Sequence, residues 1–482
     1  MNLPVLPGVG GRRPRVAMLV YNDAHADSRV LKTAASLRSA GAEVRIFAVA
    51  RARSGYAEGL DEVGDGIPVH RAPEFELVRY APWAVDLARR ILGRTSPSGA
   101  EASAPVSGAD LANPSNAPLS PETPAQSPSA AQPTVEIPTL PARPSAKDRL
   151  LVAANDVWLR TYRTASLGLY WAVAAREALD WGPDVVHAND GNTLAPAWWI
   201  ATRSGARVVY DAHELWRHRN VRSDRPIAPG VEAAIETLVI RRAAGVITVS
   251  PSIVRWLQDA YDLPEAPSLV RNIPRAEGPI DPARGRLRLL AGLDPSTQVL
   301  AYGGRITTSR GIEETLEALA LLPDTVHLVL LGYGEPDYLA ILHRQISELA
   351  LHDRVHFVGK VASSEVAEAL ADADLSVVYV RPVCLSYRFS LPNKLFESIH
   401  GGLPIAAADL PDTAALVREH GIGEIFDAQS PQDMADTIST ILADPERYRA
   451  AARRAATELT WEHEEAELLA LYRRILDRSR SS

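Results

Sequence analysis

The sequence predicts two α/β domains, each a doubly wound, mostly parallel sheet covered by helices on both faces. Three observations support this prediction. Short runs rich in β-branched residues alternate with amphipathic helical stretches along most of the 482 residues. Most of these runs are apolar on both faces, which is typical of parallel strands buried between helices. A chain of this length is also too long for a single hydrophobic core.

Ten strands are predicted, five in each half of the chain. Those of the first half are RVAMLVY (15–21), AEVRIFAV (42–49), PDVVHA (183–188), ARVVYDA (206–212) and GVITVS (245–250). Those of the second half are QVLAYGG (298–304), VHLVLLG (326–332), RVHFVG (354–359), LSVVYV (375–380) and PIAAAD (404–409). A break near 272–286 separates them. We therefore expect an N-terminal domain over 1–274, a C-terminal domain over 285–455 and a final helix over 456–482.

A segment at about 95–145 interrupts the first domain. It consists largely of proline, serine and alanine and contains no aromatic residue. Such a segment buries too little apolar surface to offset the entropy lost on ordering. We therefore predict a disordered insertion, partly extended by its prolines.

The composition excludes several classes of protein. With 46% hydrophobic and 23% charged residues the chain resembles an ordinary globular protein, and its net charge of −8 argues against nucleic-acid binding. The single cysteine, Cys384, excludes an internal disulfide and fits a reducing compartment. The first apolar run, VAMLVY, is too short for a signal-peptide core, and no run is long enough to span a membrane. The expected location is the cytoplasm.

No metal site is expected. The histidines are scattered, and the DxD sequence Asp372-Ala373-Asp374 precedes a predicted strand, at the amino edge of the sheet. We interpret it as a turn.

Polar, charged and glycine residues concentrate directly after the predicted strands. The segments of the first half include NDAHADSR (22–29), NDGN (189–192) and HELW (213–216). Those of the second half are RITTSRG (305–311), YGE (333–335), KVASS (360–364) and RPVCLSYRFSLPNK (381–394). Ligands of open α/β sheets bind beyond the carboxyl ends of the strands. Two such edges facing each other would form a cleft.

The stretch YGGRITTSRGIEETLEAL (302–319) carries the first candidate site. Gly304 ends a strand and permits close approach of a ligand to the backbone, and Arg305 and Arg310 flank the loop before the next helix. The two arginines could clamp a diphosphate with charge-assisted hydrogen bonds. Alternatively, both are solvated surface arginines.

The stretch FSLPNKLFESIHGGLPI (389–405) carries the second. Pro392 suits the first turn of a helix and Gly401-Gly402 suit its end, so the helix N-terminus points into the cleft. Glu397, one turn inside, can accept two hydrogen bonds from a ribose. Alternatively, Lys394 and Glu397 form an i,i+3 surface pair.

His213, in VVYDAHELW (208–216), lies at a strand's carboxyl end facing the cleft. Asp211 and Glu214 are close enough in sequence to set its tautomer or raise its pKa. Asp190, in HANDGN, has the same placement. A purely structural histidine is the alternative.

The stretch YNDAHADSRV places Asn22, Asp23, Asp27 and Arg29 just after the first strand. Asp23 is a candidate on the acceptor side of the cleft. Asp27-Ser28 would equally serve as a helix cap.

Taken in order, these motifs resemble family 4 of the retaining, nucleotide-sugar-dependent glycosyltransferases, which have the GT-B fold. The resemblance covers almost the whole chain except the insertion. Its pieces are DSRVLKTAASLRSAGAEVRIFA, VVYDAHELW, VITVSPSI, LVRNIP, YGGRITTSRGIEETLEAL, LLGYGE, RVHFVGKV and LPNKLFESIHGGLPI. It also implies that the final helix packs back across the cleft.

The resemblance implies roles for individual residues. Arg305 and Arg310 would hold the donor diphosphate, although many relatives have lysine at the second position. His213 would lie near the reacting carbon of the sugar, and these three residues are the catalytic candidates. The implied donor-binding residues are Gly304, Arg305, Arg310, Val358, Gly359, Ser390, Leu391, Pro392, Asn393, Lys394 and Glu397. The acceptor-side candidates are Asp23, Asp190 and Glu214.

One position departs from the family pattern. Glu397 matches the second glutamate of the family's Glu-x7-Glu motif, whereas Phe389 occupies the place of the first. Contacts to the donor sugar would then come from the backbone amides of Leu391 and Asn393 or from Ser390. Val358, Gly359 and Lys360 would border the base.

The implied reaction moves a sugar from a UDP- or GDP-sugar to an acceptor hydroxyl with retention and without metal or other cofactor. The implied acceptor is a glycan or lipid-linked glycan of bacterial envelope or polysaccharide synthesis. Two basic, aromatic stretches, 78–94 and 147–178, are either interfacial helices at the inner face of the membrane or ordinary helices of the first domain. A GT-B-fold sugar-nucleotide epimerase and, because of Phe389, a non-catalytic nucleotide-sugar-binding protein are the alternatives.

Overall fold

The computed structural model describes residues 5–80, 146–220, 228–275, 278 and 280–478. Within these residues the chain forms an eight-stranded and a six-stranded sheet, both covered by helices. The prediction of two doubly wound domains is therefore confirmed. The predicted insertion at about 95–145, and residues 81–94 of the first basic stretch, lie outside the described residues.

The N-terminal sheet has the strand order β3-β4-β2-β1-β5-β6-β7-β8. All neighbours are parallel except β3 and β4, which form an antiparallel hairpin at one edge. The strands are β1 Arg15–Leu19, β2 Glu43–Val49, β3 Gly59–Val63, β4 Ile67–Ala72, β5 Val185–Asn189, β6 Arg207–Ala212, β7 Gly245–Thr248 and β8 Ser268–Leu269.

The prediction of five strands in this half was wrong, because β3, β4 and β8 were missed. Strand β3 is an edge strand with a largely exposed, acidic sequence, and β4 contains Pro68 and Arg71. Their turn uses Gly64 and Gly66 at positive φ. Strand β8 has only two residues. None of the three has the apolar run by which buried strands are recognised.

The C-terminal sheet is parallel throughout, in the order β11-β10-β9-β12-β13-β14. It has six strands rather than the five predicted, because the short, half-buried GEIF strand was missed. The strands are β9 Gln298–Gly303, β10 Val326–Leu331, β11 Val355–Phe357, β12 Leu375–Val378, β13 Ile405–Ala408 and β14 Gly423–Phe426.

Helices connect and cover these strands. Those before β9 are α1 Ser28–Ser39, α2 Leu77–Tyr80, α3 Ala146–Trp181, α4 Leu194–Ser204, α5 Ala228–Ile240, α6 Pro251–Tyr261 and α7 Leu287–Ala291. Those of the C-terminal half are α8 Ile312–Ala320, α9 Pro336–Glu348, α10 Val366–Leu370, α11 Leu385–Arg388, α12 Asn393–His400, α13 Pro411–His420, α14 Pro431–Ala443, α15 Pro445–Glu458 and α16 Trp461–Arg478. In the described part of the chain, no helix combines the length and apolar character that crossing a membrane requires.

Local signals account for several helix boundaries. Asp27 caps α1 by accepting a hydrogen bond from the Val30 amide at 3.2 Å, which confirms the predicted capping role. Ser250 caps α6, which then begins with Pro251. Asp372 and Asp374 accept hydrogen bonds from the Leu287, Arg288 and Val299 amides, so this acidic pair is the turn that was predicted.

The last helix, α16, packs against the N-terminal sheet. Trp461, Leu468 and Tyr472 are buried in the same cluster as residues of β1 and β2. The indole Nε1 of Trp461 donates to Ser36 Oγ on α1 at 3.0 Å. Glu464 pairs with Arg271 at 2.6 Å. The end of the chain is therefore part of the N-terminal core.

Helix α3 is long, and from residue 157 onward its packing improves toward its C-terminus. Tyr170, Ala174 and Ala178 are buried beneath the sheet. Val157 and Trp158, nearer the N-terminus of the helix, are exposed by 64% and 43%.

The strand orders locate the sites. The order in which successive strands are added to the sheet reverses between β1 and β5 in the N-terminal sheet and between β9 and β12 in the C-terminal sheet. Ligands bind at such switch points, outside the carboxyl ends of the strands. The loops at these four strand ends carry most of the predicted site residues.

Candidate functional site

The loop after β9 approaches its neighbour closely. Gly304 has a φ of +125°, and the backbone of Gly332, at the end of β10, packs directly onto the Gly304 carbonyl. A Cβ on Gly332 would collide with that oxygen, so glycine is required there. The hydroxyl of Tyr302 donates to the Arg305 carbonyl at 2.7 Å and fixes the loop.

The two arginines of this loop differ in their partners. Arg305 Nη2 donates to Glu335 Oε1 at 2.9 Å, while its buried Nε has no hydrogen-bond partner among the described residues. The Arg310 guanidinium lies 5.2 Å from the centre of the Tyr387 ring. The described residues provide Arg310 with no ion pair, so its charge is open to an anionic ligand.

Gly311 joins this loop to α8. It occupies the N-cap position with a φ of +74°, and a Cβ there would overlap the Tyr379 ring, which follows β12. Only glycine meets both requirements. The close packing holds the Arg310 loop against the other strand of the switch point.

Helix α12 begins one residue later than predicted. Pro392 is its N-cap rather than a residue of its first turn, and no described side chain caps the helix. Its free N–H groups and helix dipole favour an anion at this end. The helix ends at Gly401, followed by Gly402 at a φ of +69°.

Lys394 does not lie on the surface, so the predicted alternative of a surface pair with Glu397 is wrong. Its ammonium donates to the Tyr379 carbonyl at 3.0 Å and lies 4.2 Å from the Tyr302 ring centre. Burial lowers its pKa well below the usual value. Lys394 therefore ties α12 to the two switch-point strands.

Glu397 lies one turn along α12 and lines a cleft between the domains. Burial raises the pKa of this carboxyl to about 7, against the opposing charges of Lys32 and Lys394. No described residue forms a hydrogen bond or ion pair with the Glu397 carboxylate. It is consequently available to a ligand.

The cleft has a volume of about 1040 Å³. Of the residues considered in the sequence, Lys360, Asn393 and Glu397 line it from the C-terminal domain. The N-terminal wall and the domain linker contribute His25, Lys32, Tyr56, Asn272 and Arg275. The volume matches that of a site for a nucleotide-sized ligand.

Lys32 was missed by the sequence analysis. Its ammonium donates to the Ile273 carbonyl at 2.5 Å and lies 4.8 Å from the Trp461 ring centre. Burial, with the charges of Arg29 and Arg275, lowers its pKa to about 7. A lysine one turn into a helix carries no local signal of function, because its placement depends on a carbonyl 241 residues away.

The other predicted donor-side residues serve mainly to shape the loops. Val358 packs against a buried cluster, and the Gly359 carbonyl accepts from the Gly332 amide at 2.6 Å. Ser390 Oγ donates to the Tyr387 carbonyl at 2.8 Å. The side chain of Leu391 is buried.

Phe389 lies between the domains. Its ring, with Leu385, packs against the core of the N-terminal domain, and its carbonyl accepts from Ser250 Oγ at 2.7 Å. Ser252 also binds Asp412 through its amide and hydroxyl, at 3.0 and 2.8 Å. An apolar contact between domains thus occupies the place of the family's first glutamate.

A second group of polar residues, the histidine cluster, lies at the carboxyl ends of β5 and β6. It comprises Arg29, His187, Asp190, Asp211 and His213. Arg29 holds both oxygens of the buried Asp211 carboxylate at 2.6 and 2.9 Å. His213 lies between two carboxylates, with Nδ1 3.4 Å from Asp190 Oδ2 and Nε2 3.4 Å from Asp211 Oδ2.

The electrostatics of the cluster favour a charged His213. Burial lowers its pKa, but Asp190 and Asp211 outweigh burial and raise the value to about 9. Despite burial, Arg29 and His213 hold the pKa of Asp211 well below its usual range. Burial raises the pKa of Asp190. Asp190 also has a φ of +63°, which its side chain offsets by accepting from the His213 amide at 3.1 Å.

Glu214 and Asp23 lie outside this cluster. Glu214 accepts a long hydrogen bond of 3.5 Å from Ser386 of the other domain, and burial raises its pKa to about 7. Asp23 accepts from the His25 amide at 3.0 Å in a local turn. Asp190, rather than Glu214, is therefore the second carboxylate at His213. Within the residues that the structure describes, no group of three or more histidine, cysteine, aspartate or glutamate side chains could hold a metal ion.

Comparison with solved structures agrees with the fold. The chain matches sucrose-phosphate synthase from Thermosynechococcus elongatus with a TM-score of 0.64 and 17% identity, over 98% of this chain and 100% of that one. It matches Anabaena Alr3699/HepE, solved with UDP and glucose, with a TM-score of 0.60 and 16% identity, over 98% and 100%. The fold is therefore GT-B, the architecture of two facing Rossmann-like domains.

Family models make the assignment specific. The model described as glycosyl transferases group 1 matches residues 291–458, and that described as Glycosyltransferase Family 4 matches 130–274. A relative named D-inositol 3-phosphate glycosyltransferase, from Jonesia denitrificans, is 28% identical over 309 residues, which cover 60% of this chain and 72% of that protein. The chain belongs to the family 4 glycosyltransferases, as the motif order predicted.

Proposed function

We propose that this glycosyltransferase moves a sugar from a nucleotide-diphosphate sugar to an acceptor hydroxyl with retention of configuration. One observation carries the proposal: at the switch point of the C-terminal sheet, the uncapped N-terminus of α12 and the free charge of Arg310 are both open to an anion. A diphosphate carries enough negative charge to interact with both the helix N-terminus and the Arg310 guanidinium. Glu397, one helical turn further, would accept hydrogen bonds from the ribose hydroxyls.

The proposed reaction breaks the bond between the anomeric carbon and the phosphate oxygen. The bonding electrons leave with the diphosphate, and positive charge builds on the sugar. Arg305, Arg310 and the α12 amides stabilise the departing charge, which is electrostatic catalysis in a preorganised site. The acceptor oxygen attacks the same face of the sugar, and its proton passes to the departing phosphate oxygen.

His213 is proposed to lie beside the sugar. As an imidazolium held between Asp190 and Asp211 it would present a fixed positive charge to sugar hydroxyls or phosphate oxygens. This role is binding and electrostatic stabilisation rather than proton abstraction. A histidine that is already protonated at neutral pH is a poor general base.

The donor is proposed to be a UDP- or GDP-sugar, bound without metal. Solved structures of Anabaena Alr3699/HepE contain UDP or UDP-glucose, which supports including uridine nucleotides first. The base would lie beside Val358, Gly359 and Lys360, of which Lys360 lines the cleft.

The acceptor is proposed to be a glycan or lipid-linked glycan of bacterial envelope or polysaccharide synthesis. Trp158 and Val157, exposed on α3, support contact with the inner face of the cell membrane. Liposome flotation with and without anionic lipid tests this contact, and a protein that stays at the bottom of the gradient contradicts it. Relatives named D-inositol 3-phosphate glycosyltransferase place inositol phosphates in the acceptor panel as well.

The donor is best identified by a thermal-shift panel with UDP, GDP, ADP and their common sugars in EDTA. A ligand at about a hundred times its dissociation constant stabilises the protein by roughly 2.7 kcal/mol, which raises Tm by several degrees. A shift with one nucleotide and a further shift with one of its sugars is the expected result. The absence of any shift contradicts the proposed donor site.

Incubation of the protein with the identified donor, first without and then with acceptors, distinguishes the transferase from the two alternative functions. An epimerase would convert the sugar nucleotide, and a non-catalytic binding protein, for which Phe389 is the supporting observation, would leave it intact even with acceptors present. For the transferase, the anomeric configuration of the product, read from its ¹H NMR coupling constants, tests retention.

A further inference from the structure

The C-terminal helix α16 reaches the histidine cluster through one buried hydrogen bond. Tyr472 on α16 and His187 on β5 are both completely buried, and Tyr472 Oη lies 2.8 Å from His187 Nδ1. His187 Nε2 lies 3.3 Å from Asp211 Oδ2. The same carboxylate oxygen lies 3.4 Å from His213 Nε2. Two hydrogen bonds and one close charge contact, between Asp211 and His213, therefore connect Tyr472 on α16 to the proposed sugar-binding histidine.

The direction of each hydrogen bond along this path follows from its chemistry. Asp211 is kept as a carboxylate by Arg29 and can only accept, so His187 Nε2 donates to it. In a neutral imidazole the other nitrogen then accepts, and Tyr472 must donate its hydroxyl proton to Nδ1. Asp211 thereby selects the tautomer of His187, and Tyr472 holds the ring by donating to its remaining nitrogen.

We propose that Tyr472, acting through His187 and Asp211, is a positioning residue for His213, so that α16 is a working part of the transfer site. This inference rests on the proposed function of His213. With the hydroxyl removed, His187 Nδ1 becomes a buried acceptor without a donor, so the ring is held less firmly and its hydrogen bond to Asp211 weakens. Asp211 then rearranges between Arg29 and His213, and the imidazolium is no longer held in one place.

A structural explanation of the same contacts is that they only anchor α16. Trp461, Leu468 and Leu471 already bury α16 in the N-terminal core without any polar group on the path. Anchoring alone predicts that loss of the Tyr472 hydroxyl lowers stability and nothing else. The test must therefore separate stability from the behaviour of His213.

The test is an epistasis measurement on the full-length enzyme. Tyr472→Phe is expected to lower kcat about tenfold, since small misplacement of a substrate-contacting group has effects of this order. KM for the donor should change much less. In a His213→Ala background the same Tyr472→Phe substitution should lower kcat by less than about twofold. An equal factor in both backgrounds would overturn the proposal.

Tyr170→Phe is the matched control. Tyr170 is also fully buried in the N-terminal domain and also donates a single hydrogen bond, to the Phe47 carbonyl at 3.1 Å. It has no connection to the histidine cluster through the hydrogen bonds of the described residues. Its loss should lower stability as much as that of Tyr472 while leaving kcat within about twofold.

A readout independent of transfer distinguishes failure of this inference from failure of the proposed function. NMR of the histidine Cε1–H groups, with assignment by His213→Ala, gives the pKa of His213 in each variant. Tyr472→Phe should shift that pKa by at least about half a unit, and Tyr170→Phe should leave it unchanged. An unshifted pKa in Tyr472→Phe overturns the inference. A shifted pKa combined with normal transfer by His213→Ala keeps the coupling and rejects the proposed role of His213.

Discussion

The two sides of the interdomain cleft treat charge in opposite ways. On the C-terminal side, the described residues form no ion pair with the Arg310 guanidinium and no ion pair or hydrogen bond with the Glu397 carboxylate, and no described side chain caps α12. In the histidine cluster of the N-terminal side, each buried charge faces an opposite one, as Arg29 and His213 do at Asp211. Burying a charge costs free energy unless a partner compensates for it. A charged ligand would therefore compensate the charges of the C-terminal side, whereas the charges of the histidine cluster already compensate one another.

This difference indicates how the sides divide the work. Groups without partners gain the most from a charged ligand, so donor affinity and leaving-group stabilisation should depend mainly on the C-terminal side. Groups already paired are fixed in position, so the histidine cluster should affect the rate more than the affinity. The substitutions below test this division, in order of decreasing expected effect.

Arg310→Ala should have the largest effect. It removes the free cation at the departing diphosphate, and transfer should fall about 10²–10³-fold with little loss of stability. Initial rates at saturating donor measure the loss. Arg381→Ala is the control, because Arg381 is half exposed, pairs with Glu314 at 2.9 Å and belongs to the same domain. Equal rates for Arg310→Ala and the wild-type protein would exclude the proposed clamp.

Gly311→Ala should have the next largest effect, which is a loss of stability rather than of transfer. The new Cβ adds left-handed strain and collides with the Tyr379 ring, so the free energy of unfolding should fall by about 3 kcal/mol. Gly292→Ala introduces the strain without the collision, since Gly292 has a φ of +65° and open space around it. It should cost about 1–2 kcal/mol. Urea denaturation that gives equal losses would show that Tyr379 does not pack against this loop.

The affinity for the donor should depend on pH through Glu397. Its pKa in the folded protein, about 7, lies above the value of about 4.3 for a free glutamate, so the carboxylate predominates only above neutrality. If the carboxylate binds the ribose, the affinity for a nucleotide sugar should rise about tenfold from pH 6 to pH 8. Isothermal titration with a nucleotide sugar measures this, because its diphosphate does not titrate in that range. Glu397→Gln should bind weakly and without a rise in affinity toward pH 8; a persisting rise would assign the titration to another acidic group.

Lys394→Met should have the smallest effect on the donor. Its ammonium is bonded to the Tyr379 carbonyl and is buried, so donor affinity should change by less than about twofold. The free energy of unfolding should fall by about 1–2 kcal/mol through loss of that hydrogen bond. A large loss of donor affinity, at unchanged stability, would move Lys394 to the ligand-binding group with Arg310.

Much of the fold was predictable because its signals are local. Buried parallel strands are short runs of β-branched residues, and all ten predicted runs contain a strand of the structure. Strands β3, β4, β8 and β14 were missed because edge position, proline and charged residues, two-residue length or half-exposure removes the apolar run. The site motifs were also local, since a loop and the helix that follows it are contiguous in the chain.

What each site residue contacts was not predictable. The sequence indicated Lys394 and Glu397 as a pair, yet one faces the sheet and the other faces the cleft. It indicated Glu214 as a partner of His213, whereas Asp190, on another strand, takes that place. Nothing in the local sequence around Lys32 indicates that its side chain would line the cleft. Partners of this kind are set by which strand ends meet at a switch point.

The sequence by itself determined the two-domain α/β architecture, the family and the order of the loops that face the cleft, because periodicity, turn residues and motif spacing act over short distances along the chain. Only the tertiary structure decided which charges are satisfied and which remain open to a ligand. The Asp211–Arg29 pair joins residues 182 positions apart, and the His187–Tyr472 hydrogen bond joins residues 285 positions apart. The free energy of a buried charge depends on such distant neighbours, and no local pattern records them.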